Sequence, residues 1–367
     1  MEGPFEAARL TVRLGAIAAN YRHFGEICAP AAVAAAVKAD AYGLGLAPVT
    51  DTLARAGCDT FFVARLEEGI GLRSLQPQAR IFVLDGARTE TAAPLIAHRL
   101  TPVLNALTEI DAWNSAARAY GRKLACAVHL DTGMNRLGLP EYERASLAAE
   151  AKTRLSNLDV VLWMSHLACG EDCRSPMNAE QLTRFRAALA TLPPAPASLS
   201  ASAGALLGND YHFDLVRPGI GLYGGNPCGE MTNPFAVAAV LTGRILQLRR
   251  VDTGESVGYG ATFRAGRPSQ LATIGLGYAD GLMRAIGNKG SGVIAGVRAP
   301  VVGRVSMDVV TLDVTDAPPD AVHLDADVEF IGYTISLDEF ASLAGTASYE
   351  VLTSLGHRMP RHYEAAA

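Results

Sequence analysis

The feature that most constrains the fold of this chain is a regular alternation of short apolar runs with amphipathic stretches through its first two thirds. Such alternation predicts parallel β-strands joined by α-helices. Eight strand–helix units over roughly 230 residues are what a (β/α)8 barrel requires, so we predict an α/β protein with an N-terminal TIM barrel. The predicted strands are 33–37, 60–64, 80–84, 101–104, 124–130, 158–164, 197–201 and 213–216, and the predicted helices are 13–27, 47–57, 65–75, 89–98, 107–120, 141–153 and 178–190.

After residue 234 the pattern changes to β-rich runs that are interrupted by Gly, Pro and Asp turns. Helical periodicity returns only near residues 336–344 and 347–355. This pattern predicts a second, mainly antiparallel β domain. We therefore divide the 367 residues into a barrel domain, 1–234, and a β-rich C-terminal domain, 235–367, and expect roughly the first ten residues to pair with the β domain.

Composition narrows the class of function. With 19% charged residues and a net charge of −5, the chain has no basic field that would attract nucleic acid. Its most apolar stretches, 27–37 and 235–242, are too short to span a bilayer, and the N-terminus lacks the apolar region of a signal peptide. Six scattered cysteines form no zinc-binding pattern and fit free thiols in a reducing compartment. We expect a cytoplasmic, metal-free, enzyme-like protein that acts on a small molecule.

A lysine ends the first predicted strand. Lys38 follows the apolar run 33–37 and precedes a turn that is rich in glycine. An amine at such a strand end is partly desolvated, which lowers its pKa and suits it to Schiff-base chemistry. Lysines at strand ends are common, however, so the strand–lysine pattern by itself is more typical of a solvated side chain.

Polar residues also follow other predicted strands. TIM-barrel active sites lie at the C-terminal ends of the strands, and phosphate is commonly held after strands seven and eight. Asp85 follows the third strand, and polar or glycine-rich segments follow strands five to eight. Together with Lys38, this distribution predicts an active site at that end of the barrel. The segments are DTGMNRLG (131–138), SHLAC (165–169), SAG (202–204) and RPGIGLYG (217–224).

Motifs spread over almost the whole chain resemble those of alanine racemases, the fold-type III amino-acid racemases that depend on pyridoxal 5′-phosphate (PLP). They occur in the order and at about the spacing found in that family. The resemblance implies a PLP-binding barrel, a C-terminal β domain and interconversion of L-alanine and D-alanine. The motifs are VKADAYGLG, HLDTGMNRLG, MSHLAC, DLVRPGIGLYG, VGYGATF, GLGYADGL, GRVSMD and SYEVLTSLGHRMPR, with LGAIAANYRHF near the start.

The resemblance implies a homodimer with shared active sites. Racemisation removes a proton from one face of Cα and returns one to the other, so two groups on opposite sides of the cofactor are needed. Lys38 would bind PLP covalently and serve one face. Tyr259 of the partner subunit would serve the other face. From the residues alone, Tyr259 equally fits a strand aromatic on a packed face.

The resemblance also assigns cofactor and substrate contacts. Arg217 matches the position that opposes the PLP ring nitrogen, and a guanidinium cannot accept a proton, so the nitrogen would stay unprotonated and the electron sink weak. His166 would bridge Arg217 and the tyrosine base, although an interior structural histidine remains an alternative. Arg136 would contact the cofactor and the substrate carboxylate, which would also meet Met307 of the partner subunit. The remaining expected cofactor contacts would bind the phosphate: Ser202, the backbone N–H groups of Gly219 and Ile220, and the hydroxyls of Tyr42 and Tyr349.

Three residues depart from the family pattern. His129 stands where most members have a lysine, often carbamylated, whose negative charge orients the arginine matched by Arg136. Ala201 replaces an asparagine beside the phosphate segment, and Ser306 replaces a cysteine close to the expected position of the substrate side chain. These changes are compatible with activity and leave open a preference for another small amino acid such as serine.

Two other classes of PLP protein share parts of this pattern. A barrel-type decarboxylase of diamino acids would carry glutamate at Arg217 and a catalytic cysteine in the β domain, but no cysteine follows Cys228. A non-catalytic PLP-homeostasis protein would lack the β domain. The sequence leaves open whether the reaction supplies D-alanine for peptidoglycan or consumes it.

Overall fold

The computed structural model describes residues 5–229 and 231–365. They divide into two compact units. One unit consists of Ile17–Leu222 and Asn226–Phe235, and the other consists of the residues up to 16, Tyr223–Gly225 and the residues from 236 onward. The division into functional domains at 1–234 and 235–367 remains a prediction.

The first half of the chain alternates short strands and helices, as its hydrophobic pattern predicts. Most observed helices lie within two residues of their predicted limits, and the helix predicted at 107–120 has those same limits. In chain order the elements are β1 (Ala8–Arg13), α1 (Leu14–Cys28), β2 (Ala32–Val33), β3 (Ala35–Ala36), α2 (Lys38–Tyr42), α3 (Leu46–Arg55), β4 (Thr60–Val63), α4 (Leu66–Leu75), β5 (Arg80–Val83), α5 (Thr89–Ala97), β6 (Thr101–Leu104), α6 (Leu107–Tyr120), β7 (Leu124–His129), α7 (Glu141–Arg154), β8 (Leu158–Met164), α8 (Pro176–Leu189), β9 (Ala197–Ser198), α9 (Ser202–Ala205) and β10 (Leu215–Val216).

The strands of the first unit form a closed parallel barrel. Strands β3 to β9 pair in chain order, and β2 pairs in parallel with β10. The Asp214 N–H donates to the Ala197 carbonyl at 3.0 Å and the Arg217 N–H to the Ser200 carbonyl at 2.9 Å, which links the segments of β9 and β10. Because β2 and β3 lie in one segment, 32–36, these contacts join eight strand positions and confirm the predicted (β/α)8 fold. Phe62 and Phe82 stack in the buried interior with ring centroids 4.7 Å apart. The rest of this core cluster is Ala34, Val103, Ala127, Leu162, Met164 and Leu215.

The second unit is the predicted mainly antiparallel β structure. Its elements are β11 (Ala239–Val251), β12 (Ser256–Val257), β13 (Phe263–Arg264), β14 (Ser269–Ile274), β15 (Ser291–Ile294), β16 (Val297–Pro300), β17 (Val310–Asp313), β18 (Asp327–Ile331), α10 (Leu337–Ala344), α11 (Ser348–Ser354) and β19 (Arg361–Glu364). The main sheet has the order β16-β15-β18-β11-β1-β19, and β14 pairs with β11 and β17. All these pairings are antiparallel except that of β1 with β19. Among the described residues, no helix has the length and apolarity needed to cross a membrane.

Candidate active site

The element α2, which follows the first barrel strand, is a left-handed turn and not a right-handed α-helix. Residues 39–42, none of them glycine, have φ values between 53° and 58°. Each residue in this conformation costs roughly 1–2 kcal/mol, so surrounding contacts must hold the turn. Asp40 supplies one such contact, because its Oδ1 accepts the Leu46 backbone N–H at 2.7 Å. The turn begins directly at Lys38, the lysine that the sequence singles out.

The Lys38 amine lies in a partly desolvated, charged environment. Burial lowers the pKa of Lys38 and nearby Arg136 lowers it further, while Glu68 and Asp85 oppose the shift. The residue lines a cavity of about 610 Å³. A lowered pKa increases the neutral fraction of the amine, which is the nucleophilic form.

Arg217 is a buried cation at the end of β10. One guanidinium nitrogen donates to the Ser165 carbonyl at 2.7 Å and another donates to Ser198 Oγ. The guanidinium carbon lies 5.8 Å from the centroid of the Phe62 ring, at the top of the barrel core. Burial lowers the pKa of Arg217 to about 10, so the side chain remains charged at neutral pH.

His166 faces this cation in its neutral form. Its Nδ1 lies 3.4 Å from Arg217 Nη2. Desolvation lowers the pKa of His166 well below 6.5, and the neighbouring charges of Arg217, Arg136 and Lys38 reinforce the shift. Since a guanidinium only donates, the Nδ1 lone pair faces it and the proton of the neutral ring belongs on Nε2. Four predicted site residues thus lie close together in the barrel.

His129 is held by an asparagine that the sequence analysis did not identify. Asn105 Nδ2 donates to the Leu84 carbonyl at 3.0 Å and to the Val103 carbonyl at 2.8 Å. Its Oδ1 is therefore the acceptor for His129 Nδ1 at 2.9 Å, which assigns the proton of the neutral imidazole to Nδ1. Burial, and then the charge of Arg217, lower the pKa of His129 from 6.5 to about 4.

This burial of a neutral histidine predicts a loss of stability on acidification. The unfolded chain protonates His129 below pH 6.5, whereas the folded chain does so only near pH 4, so stability falls with pH across that window. The loss is about 2 kcal/mol between pH 6.5 and about pH 5. His129→Asn keeps a donor for Asn105 and should remove this part of the pH dependence. Urea unfolding at both pH values measures the free energy of unfolding of each variant. His323→Asn, at an exposed position, is the control. If His129→Asn lost as much stability on acidification as the wild type, the buried neutral state of His129 would be contradicted.

The loop that carries Arg136 is fixed by one carboxylate. Asp131 Oδ1 accepts the backbone N–H groups of Gly133, Met134 and Asn135 at 2.9, 3.0 and 3.2 Å. Such a turn compensates for the left-handed backbone of Asn135, whose φ is 53°. The fixed loop presents Arg136 on the exposed side of the strand ends.

A second group of predicted residues meets at the end of β10. Ser202 Oγ accepts the backbone N–H groups of Gly219 at 2.8 Å and Gly221 at 3.2 Å. A Cβ at Gly219 would lie 2.2 Å from Tyr42 Oη, so only glycine lets the tyrosine hydroxyl approach this turn. Ile220 begins the 3₁₀ turn that follows. The Gly219 N–H, which we expected to bind phosphate, donates to Ser202 Oγ in this structure. Ser202 therefore holds this glycine turn in place.

The β unit carries the remaining predicted residues. Tyr259 and Met307 are 72% and 53% exposed. Gly260, next to Tyr259, lies close to Arg304 of the Met307 loop: a Cβ at Gly260 would be 3.1 Å from the Arg304 guanidinium. The two loops therefore lie side by side. Tyr349 lies on α11 and is half-exposed.

Several polar residues that support the barrel site were missed by the sequence analysis. The fully buried Gln181 joins two strand-end loops: its Nε2 donates to Thr132 Oγ1 at 3.0 Å and to the His166 carbonyl at 2.9 Å, and its Oε1 accepts the Ala168 N–H at 2.8 Å. Partners so far apart in sequence carry no local pattern. In residues 5–229 and 231–365, no three His, Cys, Asp or Glu side chains are grouped as metal ligands would be. The other residues missed are Glu68, Asn105 and Ser198.

Family profiles match both parts of the chain. The alanine racemase N-terminal domain matches residues 12–227, and the alanine racemase C-terminal domain matches residues 238–363. The alanine racemase of Rhodospirillum rubrum is 47% identical over 358 residues, which cover 97% of this chain and 96% of that protein. The biosynthetic and catabolic alanine racemases of Agrobacterium fabrum are each 44% identical, covering 99% and 97% of this chain and 95% and 92% of their own lengths.

A solved structure of the same type has the same fold. The crystal structure of alanine racemase from Bartonella henselae with covalently bound pyridoxal phosphate is similar with a TM-score of 0.94 and 38% identity, covering 98% of this chain and 100% of that one. Since both domain profiles match and the relatives are similar over nearly their full lengths, this chain belongs to the alanine racemase family.

Proposed function

We propose that this protein interconverts L-alanine and D-alanine with PLP as its cofactor. The observation that carries the proposal is the buried, charged Arg217 facing the neutral His166, close to Lys38, at the C-terminal ends of the barrel strands. A PLP decarboxylase would need a carboxylate at the position of Arg217. The names and similarity of the relatives support the racemase.

The residues of the barrel site fit a phosphorylated pyridine cofactor. The turn at Gly219 is a cradle that a Cβ would fill, and the hydroxyls of Tyr42 and Ser202 meet there. We propose that this group binds the phosphate together with the Ile220 N–H, with Tyr349 as a further contact. Backbone amides and hydroxyls bind an anion without requiring a buried counter-charge. Lys38 is the covalent anchor in this proposal.

When bound, PLP supplies the electron sink that makes the Cα proton of an amino acid removable. Lys38 Nζ removes or returns that proton on one face, and the hydroxyl of the partner subunit's Tyr259 does so on the other. Arg217 would present only donors to the ring nitrogen of PLP and would therefore leave that nitrogen unprotonated. Arg136 orients the substrate carboxylate, together with the backbone of the partner's Met307.

Exposure of the β-unit residues supports a homodimer with shared sites. Tyr259, Tyr278 and Met307 expose 72%, 42% and 53% of their surfaces. The loops that carry them are joined, since the Ala279 N–H donates to the Met307 carbonyl at 3.0 Å. An exposed cluster of large apolar side chains marks an interaction surface, and in our proposal a second copy of the chain covers it. A cytoplasmic location stays part of the proposal.

The cofactor assignment is tested by reduction with borohydride. We expect purified protein to absorb visible light through bound PLP, and borohydride to fix a pyridoxyl group on Lys38. The chain has only four lysines, at positions 38, 123, 152 and 289, so peptide mass spectrometry identifies the labelled one. A label on any lysine other than Lys38 would contradict the assignment.

The reaction itself is tested by circular dichroism on L-alanine and, in parallel, L-serine. We expect racemisation of alanine at a higher kcat/KM than that of serine. Faster conversion of serine would transfer the proposal to a serine racemase, for which Ser306 would be the first residue to examine. The similarity to both a biosynthetic and a catabolic relative leaves both physiological directions within the proposal.

A further inference from the structure

Glu68 joins two segments that are far apart in sequence. It lies in the first turn of α4 and its carboxylate Oε2 accepts the backbone N–H groups of Ala64 at 2.7 Å and Arg65 at 3.0 Å. Its other oxygen, Oε1, accepts the Ala39 N–H at 2.6 Å. The Ala39 N–H belongs to the peptide bond that follows Lys38.

An ordinary helix cap does not require this second contact. A glutamate at the third helical position caps its helix by accepting a backbone N–H that precedes it. Glu109 does so at the start of α6, where its Oε2 accepts the Asn105 N–H at 2.7 Å, and its carboxylate also bonds to the backbone of Ala87 at the preceding strand end. Glu68 makes the equivalent contacts with one oxygen and uses the other for a residue 29 positions earlier. Its position therefore serves the turn after Lys38 as well as α4.

We propose that Glu68 is a positioning residue that fixes the peptide bond after Lys38, holds the left-handed turn 39–42 and thereby directs the Lys38 amine. A backbone that is unfavourable at four consecutive non-glycine residues persists only when tertiary contacts determine it. A charge-assisted bond to the first of these residues is such a contact. The inference rests on the proposed function only for the catalytic role of Lys38.

The charge of Glu68 acts on the same amine. It raises the pKa of Lys38 against the effects of burial and Arg136. Loss of the carboxylate should therefore change both the geometry and the protonation of the lysine. The charged or titratable groups around this amine are Arg136, Glu68, Asp85 and His166, and Arg65 and Glu67 line the same cavity.

The test compares Glu68→Gln with Glu67→Gln, its exposed neighbour. Lys38 of the full-length protein, freed of PLP, is acetylated over a range of pH, and mass spectrometry follows each lysine separately. In Glu68→Gln we expect Lys38 to react several-fold faster at neutral pH, with Lys123 as an unchanged internal reference. In the holoenzyme, kcat should fall about 10-fold to 100-fold through misplacement of the amine, with little change in KM.

Glu68→Asp separates the two effects. It keeps the charge but is too short to span both contacts, so the acetylation profile should stay near that of the wild type while kcat still falls. Circular dichroism verifies that each variant is folded. The proposal is overturned if Glu68→Gln matches Glu67→Gln in both the Lys38 acetylation profile and kcat, or if only its melting temperature falls. Because acetylation needs no racemase activity, this readout remains valid even if the proposed function fails.

Discussion

Dimers that combine one Lys38→Ala subunit with one Tyr259→Phe subunit are expected to regain racemase activity that neither homodimer has. Each single variant lacks one of the two proton-transfer groups at every site. Its kcat should therefore fall about 10²-fold to 10⁴-fold. In the mixed dimer one site has lost both groups, but the other combines an intact Lys38 with the intact tyrosine of the partner. When equal amounts exchange fully, half of the dimers are mixed and half of their sites are intact, which gives about a quarter of the wild-type activity.

The measurement is specific activity after co-refolding or prolonged mixing, with subunit exchange monitored by differently tagged chains. Borohydride should label only the Tyr259→Phe subunit, since it alone retains Lys38. Lys152→Ala, which alters an exposed lysine on α7, is the matched control and should keep wild-type activity. Demonstrated exchange without recovered activity would indicate a site built within one chain.

The order and limits of the barrel elements could be predicted because they depend on local patterns. Helix α6 was predicted at 107–120 and occupies Leu107–Tyr120, since its apolar positions repeat with helical periodicity. The seventh strand was predicted at 197–201, but in the structure it comprises only Ala197–Ser198. The barrel rule then places the polar segments after the strands at one end, where Lys38, Arg136, His166 and Arg217 lie close together.

The contacts that shape the site could not be predicted in the same way. Segment 39–42 contains no glycine, so local sterics argue against the left-handed turn that the structure shows. Glu68, which follows β4, stabilises the turn after Lys38, and Asn105, which follows β6, orients His129. Such pairs depend on the register of neighbouring barrel strands, which one sequence does not specify.

The second large effect is expected from Arg217→Glu. A carboxylate stabilises a protonated ring nitrogen as the arginine cannot, so the bound cofactor becomes a stronger electron sink and protonation at the wrong carbon increases. We expect pyridoxamine phosphate to accumulate during turnover with alanine, which the wild type should avoid. Racemisation should still slow, by about 10²-fold to 10³-fold. The glutamate cannot donate to the Ser165 carbonyl, 2.7 Å from the arginine, and the contact with His166 is lost.

Arg217→Lys distinguishes the charge from the hydrogen-bonding geometry. Lysine keeps the positive charge but cannot reproduce the forked contacts to Ser165 and Ser198, so racemisation should fall without formation of pyridoxamine phosphate. Liquid chromatography of the released cofactor and the racemisation rate together separate the two variants. Normal racemisation by Arg217→Glu, with no pyridoxamine phosphate, would mean that Arg217 does not face the ring nitrogen. The end of β10 would then have to be removed from the cofactor site.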